Sequence, residues 1–230
     1  MTFAARPIGL VKSAFVWRPT ISADATNWVL YSQAVAAGWD GVVPLDAEVT
    51  VGSGIVLSAD STSLYGFDTG TGFPAGTTLK LIMPGYVCGM GGAGGAVYTA
   101  GSNGGPALRA QYAISIDAAG GVIGGGGGGG GSDEGAGGGG GRSGRTNAAG
   151  SPTGASGTFS SGGNGGNSGG AGGTTGPGDD GSGTSGGGGG GWGASGGTTG
   201  SYVGGTGGAA VVGNSYITWI NTGTRYGDIT

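Results

Sequence analysis

Histidine is absent from this 230-residue chain, and cysteine occurs once, at Cys88. These two shortages remove zinc sites, Cys–His and Ser–His catalysis, iron–sulfur clusters and any internal disulfide. Charge is scarce too, with 8 Lys and Arg against 12 Asp and Glu and a net charge of −4. Lys12 and Lys80 are the only lysines, so the chain lacks the cation density needed to grip a phosphate backbone, and nucleic acid is not an expected partner. Nothing approaches the run of about 18 apolar residues that a membrane span requires. The opening MTFAARPIGLVKSAFVWRPT has no apolar stretch resembling a secretory signal. A soluble product of a cytoplasm is expected, with no membrane insertion, no cofactor and no metal.

Glycine is abundant instead, at 67 residues, against about 7% in average proteins. It is concentrated between residues 85 and 213, which hold 56 glycines, while residues 1–84 hold 9 and residues 214–230 hold 2. Four regions follow. Residues 1–26 form an arm in which Phe3, Phe15, Val16 and Trp17 are apolar and Pro7 and Pro19 limit regular structure; it either docks on a partner or packs back on its own module. Residues 27–88 form a β-rich module. Residues 89–213 form a glycine-built body, and residues 214–230 a closing C-terminal strand.

Within the module, Trp28, Tyr31, Ala34 and Val35 have the spacing of a short helix over 26–37, capped by Thr26 or Asn27 and ended by Gly38. The period then drops to two. Val43, Leu45, Ala47, Val49 and Val51 alternate with polar residues, and 55–57 and 77–83 repeat the strand signal with Leu79, Leu81 and Met83 on one face. Cys88 is expected to pack as a small buried hydrophobe. Two further strands, over 108–117 and 211–220, bracket the glycine body, which a disordered linker would not carry.

Runs such as Gly124–Gly131 and Gly186–Gly191 cannot be stable α-helix, since each glycine costs about 1 kcal/mol relative to alanine. They give a sheet no side chains to pack. The remaining ordered state is the extended left-handed helix with three residues per turn, whose backbone groups point outward and bond to neighbours when several lie side by side; only glycine allows that approach. Collagen is excluded because the Gly-X-Y period is not kept and there are only 8 prolines. The less glycine-rich stretches 97–103, 132–136, 142–161, 174–185 and 192–203 then become turns, with 132–136 and 174–185 expected at one end of the block and 142–161 and 192–203 at the other. Loops on a rigid scaffold are where recognition concentrates.

The segments AVAAGWDG (34–41), TGTGFPAGTTLKLIMPGYVCGMGGAGGA (69–96), GGPALRAQYAISID (104–117), VIGGGGGGGG (122–131), GGTGGAAVVG (204–213) and ITWINTGTRYGDI (217–229) resemble the glycine-rich tail-fibre adhesins of tailed bacteriophages. The resemblance implies a mainly β N-terminal attachment module joined to a polyglycine II helix bundle and closed by a C-terminal strand. It also implies a place on the virion, at a tail fibre or tail tip. Residues 1–88 would bind another phage tail or fibre protein, and the turns would bind a bacterial outer-membrane protein or surface polysaccharide. Residues 1–26 do not resemble the attachment sequence of the T-even-type adhesins.

The turn aromatics Tyr98, Phe159, Trp192 and Tyr202 stand among Gly, Ser, Thr and Asn, a mixture suited to recognition loops because rings supply contact area at low entropy cost. Each is either a receptor contact or a ring folded over the edge of the bundle. Asp179 and Asp180 join them as candidate receptor contacts; with Asp133, Glu134, Arg142 and Arg145 they also read as solvated turn charge, and their spacing is not that of a calcium loop. Glycosidase chemistry by Asp46, Glu48 and Asp60 is not expected, because alternation puts the first two on a solvent face rather than in a groove. No glycine loop is followed by Lys-Ser/Thr, so phosphate loops fail as well. The expected protein is a non-enzymatic adhesin. The rivals are a structural tail or capsid-decoration protein and an ice-binding protein, the last disfavoured by the irregular placement of Thr and Ala.

Overall fold

The computed structural model describes residues 13–134, 137, 154–159, 161–166, 169–174, 176, 178–182 and 185–230. Arg142, Arg145, most of the expected turn 142–161 and the first twelve residues of the arm lie outside them. Among the described residues no helix is long and apolar enough to cross a membrane.

The strands, in chain order, are Phe15–Trp17 (β1), Thr20–Ile21 (β2), Ala25–Thr26 (β3) and Trp28–Val29 (β4). After the helix Leu30–Ala36 (α1) come Leu45–Val51 (β5), Val56–Ser58 (β6), Phe67–Asp68 (β7), Thr78–Ile82 (β8) and Tyr86–Cys88 (β9). Leu108–Arg109 (β10), Ile114–Asp117 (β11), Val122–Gly124 (β12), Val211–Val212 (β13), Ile217–Asn221 (β14) and Thr224–Tyr226 (β15) complete the set. They form three sheets, ordered β1-β5-β8-β11-β14 with β2 beside β5, then β15-β12-β9-β6-β3, and β13-β10-β7-β4. From β5 onward, successive strands step from the first sheet to the second to the third and back. The pairings between named strands are parallel. Coil is thus stacked on coil around one core, the arrangement of a parallel β-solenoid.

Stacking puts like side chains in columns. Val49, Leu81, Ile116 and Trp219 share one register in the first sheet, and Leu57, Val87 and Ile123 another in the second. In the third, Trp28, Phe67, Leu108 and Val211 are aligned, with the Trp28 and Phe67 rings stacked 5.4 Å apart and Trp17 stacked on Trp28 at 6.2 Å. The Asp68 carboxylate, buried in the third sheet, receives hydrogen bonds from Arg109 Nη2 at 2.5 Å and Gln111 Nε2 at 3.0 Å. Arg109 also lies over the Tyr65 ring at 4.3 Å. The bond to Asp68 raises the Arg109 pKa against the opposing effect of burial. The outer face of the first sheet is a solvated polar ladder, with Arg18 on Asp46 at 2.7 Å and Lys80 on Glu48 at 3.0 Å. The Arg18 guanidinium holds the Asp46 carboxyl below its ordinary value, so that small stabilisation is full at neutral pH and lost as acid protonates Asp46.

Leu45–Val51 alternates buried and half-buried residues as its sequence requires, and Leu79, Leu81 and Met83 face the core. Cys88 is fully buried. The helix is shorter than its spacing implies: Thr26 and Asn27 do not cap it, because Asn27 turns the corner between β3 and β4 at φ 49° and Val29 holds the cap position with no side-chain bond. Each of the two apolar stretches expected as one strand is divided. Residues 108–117 turn from the third sheet into the first between β10 and β11, and residues 211–220 do so through a short 3-10 helix, Asn214–Tyr216, between β13 and β14. In 108–117 inward-facing residues continue around the solenoid corner, so the alternation outlasts the strand. The sheets also run past residue 88, drawing on residues 108–124 and 211–226, and Phe15–Trp17 of the arm pairs with Leu45–Ala47.

The glycine segments leave the solenoid where β9 and β12 end. The β9–β12 pairing continues beyond the sheet as Gly89, Gly92 and Gly95 N–H donating to the carbonyls of Gly124, Gly127 and Gly130, each at 2.8 Å, a step of three residues in place of two. Residues 124–132 are buried throughout. Their own N–H groups turn through different neighbours in the same step: Gly126, Gly129 and Ser132 donate to Gly105, Ser102 and Thr99, whereas Gly128 and Gly131 donate to Ala194 and Gly197. Their carbonyls receive Gly187 and Gly190 on one side and Gly205 and Gly208 on another. A Cβ on Gly126 would run into the Met90 carbonyl, and one on Gly129 into that of Ala93. At Gly176 a Cβ would meet nothing within 4 Å. We therefore expect Gly126→Ala to destabilise the protein by more than about 2 kcal/mol, as overpacking does, and Gly176→Ala to stay within about 0.5 kcal/mol, both read from denaturant unfolding.

Candidate functional site

Backbone pairing sorts the turns of the glycine body into two ends. Beside the solenoid, Trp192 follows the descending run 186–191, and its Nε1 donates to the Phe159 carbonyl at 2.5 Å. Its ring meets those of Phe159 at 5.3 Å, Tyr226 at 5.6 Å and Tyr86 at 6.3 Å, all nearly perpendicular. Tyr86 and Tyr226 belong to β9 and β15, so this cluster fastens the body to the sheet. Gly193 makes the turn at φ 61°, and Trp192 is only 7% exposed.

At the far end, four short turns come together. Ser132 forms antiparallel bridges with Thr99 and with Gly186, and Thr199 Oγ1 donates to the Ser185 carbonyl at 2.7 Å. Thr199 and Tyr202 exchange backbone hydrogen bonds at 3.0 and 2.8 Å, a tight turn that uses Gly200 at φ 51°. The Asp180 carboxylate accepts the Thr198 N–H at 2.6 Å. The Tyr98 N–H donates to the Asp133 carbonyl at 2.9 Å, and the Asp133 carboxylate lies against Gly200, where a Cβ would come within 3.2 Å of Oδ2.

Two aromatic rings define this tip. Tyr98 and Tyr202 lie 6.1 Å apart with planes tilted by 51°. Tyr98 is 53% exposed and Val203, close by, 59%. Tyr98 also adopts a left-handed φ of 61°, uncommon for a residue with a side chain and held here by the bond to Asp133. Glu134, Asp179 and Asp180 are exposed around the turns.

Of the sequence candidates, Tyr98 and Tyr202 come together, and Asp180, with Asp179 before it, is tied to Thr198 on the segment that leads into the Thr199–Tyr202 turn. Phe159 and Trp192 also come together, at the opposite end. The stretch 192–203 is not one turn: it starts beside the solenoid at Trp192, rises through 194–197 and turns at the tip over 199–202. Likewise Gly176 pairs with Gly191 near Trp192 and Gly181 with Thr198 near the tip, so the expected sharing of ends applies to Ser182 and Ser185, beside 132–134. The small residues between Trp192 and Thr199 read as loop in the sequence but are spacer. Tyr86 and Tyr226 were not singled out, since strand alternation says which residues face outward but not what covers them. The available signal was that β9 and β12, between which Tyr86 lies in register with Val122, each run directly into glycine.

A family model described as phage tail fibre adhesin Gp38 matches residues 17–230. The chain belongs to this family. Its fold is similar to that in the crystal structure of the gp37-gp38 adhesin tip complex of the bacteriophage S16 long tail fibre, with a TM-score of 0.68 over 94% of this chain and 82% of that one at 22% identity. No curated protein matches. As a Gp38-family phage tail fibre adhesin, the chain is a virion tail protein of host attachment.

The two ends predict separable effects on stability. Trp192→Ala should cost about 3 kcal/mol, the loss of a buried aromatic, whereas Tyr98→Ala should cost less than about 1 kcal/mol; thermal unfolding of the two variants measures the difference.

Proposed function

We propose that this adhesin binds a bacterial surface receptor through the turns 96–99, 132–134 and 199–202 with Ser182 and Ser185 beside them, held at the end of a polyglycine II bundle, while its solenoid fixes it to another protein of the tail fibre. The observation that carries this reading is the pairing of Tyr98 and Tyr202 at the end of the body furthest from the sheets. It places exposed aromatic area on backbone that the glycine segments hold rigid. Tyr98, Tyr202, Asp179 and Asp180 belong to the binding end in this reading. Trp192 and Phe159 serve as the fastening, which is the second of the two roles open to them in the sequence.

The polyglycine II assignment draws support from the step of three in the hydrogen bonds of residues 89–95 and 124–132, and from the rarity of left-handed φ. Among the described glycines of 89–105 and 124–210, those with positive φ are Gly193 and Gly200, both at turns. Attachment through residues 1–88 draws support from the S16 structure, which is a complex of gp37 with gp38. Nothing in this role requires catalysis. The receptor is an outer-membrane protein or a surface polysaccharide.

Amide exchange tests the bundle: the N–H groups of Gly125–Gly131 should be protected to the level of global unfolding, and exchange at free-peptide rates would remove the bundle. Binding is tested with the purified chain on host cells. Wild-type protein should coat them and block infection, and Tyr98→Ala with Tyr202→Ala should reduce coating at least about tenfold, as loss of aromatic hot spots does, at unchanged thermal stability. Protein that leaves cells uncoated would make this a structural or decorating component of the tail.

A further inference from the structure

The tip carries one half of an interaction that the same chain completes elsewhere. In the third sheet a cation is held by two groups at once, with Arg109 on the Asp68 carboxylate and over the Tyr65 ring at 4.3 Å. At the tip, the ring and the carboxylate recur. Tyr98 and Tyr202 are set at 6.1 Å, the Asp133 carboxylate lies against the Gly200 turn that leads into Tyr202, and Asp180 is tied to Thr198 just ahead of that turn. The cation is missing: among the described residues of 89–107 and 125–210 there is no lysine or arginine, whereas Asp133, Glu134, Asp179 and Asp180 are all present.

Resting on the receptor-binding reading above, we infer that the tip captures a lysine or arginine side chain from an exposed loop of a host surface protein. The cation lies against the Tyr98–Tyr202 pair and meets the Asp133 carboxylate, with Asp180 adding to the acidic field of the tip. A cation within about 6 Å of a tyrosine face is attracted by the ring quadrupole, more so where water is partly displaced. Flanking carboxylates add charge-assisted hydrogen bonds and steer the approach. The same charge disfavours a phosphate-rich or acidic glycan, which would meet four carboxylates with no described cation to offset them. Exposed Val203 gives the stem of a long basic side chain an apolar surface to lie along.

Asp133→Asn and Asp180→Asn separate this from a structural role, because the amide keeps an acceptor oxygen for the Thr198 N–H and removes only the charge. The probe is the labelled full chain on intact cells of a strain that it coats. The double variant should bind about tenfold more weakly at unchanged thermal stability. Raising salt from about 0.05 to about 0.5 M should weaken wild-type binding several-fold and the double variant's very little. Protease shaving of the cells should remove binding, and periodate oxidation of their sugars should not. Wild-type-level binding by the double variant, or salt-insensitive wild-type binding, overturns cation capture and leaves receptor binding standing. Binding that survives shaving and falls to periodate assigns the tip to a glycan. An equal loss in the Arg142→Gln, Arg145→Gln variant shows that the carboxylates answer to the chain's own arginines, and also overturns the inference. If the chain coats no strain in a panel of Gram-negative bacteria, both readings fall together.

Discussion

Backbone packed directly against backbone is the contact on which this molecule depends. Along Gly124–Gly131 the space that a first side-chain carbon would occupy is filled by the main chain of the neighbouring segments, where described, or, at Gly124, by the Trp192 ring. The packing is close because hydrogen bonds leave the segment in several directions with a three-residue rhythm. Neither an α-helix nor a sheet does this: the first spends its bonds internally and the second in one plane. Glycine's high conformational entropy opposes such order. It is offset by cooperativity across neighbours and by apolar structure at one end, where Trp192 is locked between Tyr86, Phe159 and Tyr226.

The solenoid provides that apolar end and also sets direction. Since β9 and β12 run side by side in register before they leave the sheet, the glycine segments that follow start aligned, at Gly89 and Gly125, and need no turn to find each other. The return segments re-enter at β10 and β13, again as neighbours in one sheet through the pairing of Leu108 with Val211. A long-range arrangement is thereby made from local continuity: the chain order of coils dictates the spatial order of the segments that project from them.

Much of this is written in the sequence, and the missing part has a physical cause. Alternation at Leu45–Val51 and at Leu79–Met83 gives the strands, and the glycine runs imply extended packed backbone. What alternation does not encode is closure. Residues 108–117 keep their inward-facing rhythm through a corner, and 211–220 carry apolar residues on both sides of one, so each reads as one strand where there are two in different sheets. At the tip, composition picks out Tyr98, Tyr202 and Asp180 as residues set among small neighbours, but it gives Trp192 the same standing. Only the height of a residue along its segment separates the two groups, and that height depends on pairing between stretches as distant as Gly205 and Gly129.

The direction of those cross-segment hydrogen bonds governs how the molecule carries load. They lie across the line joining the solenoid to the tip, so a pull along that line strains them in shear, many at a time, instead of peeling them apart one by one. A particle tethered by this end would resist detachment in moving fluid along the very axis on which it is tugged, while a sideways wrench would meet a weaker material.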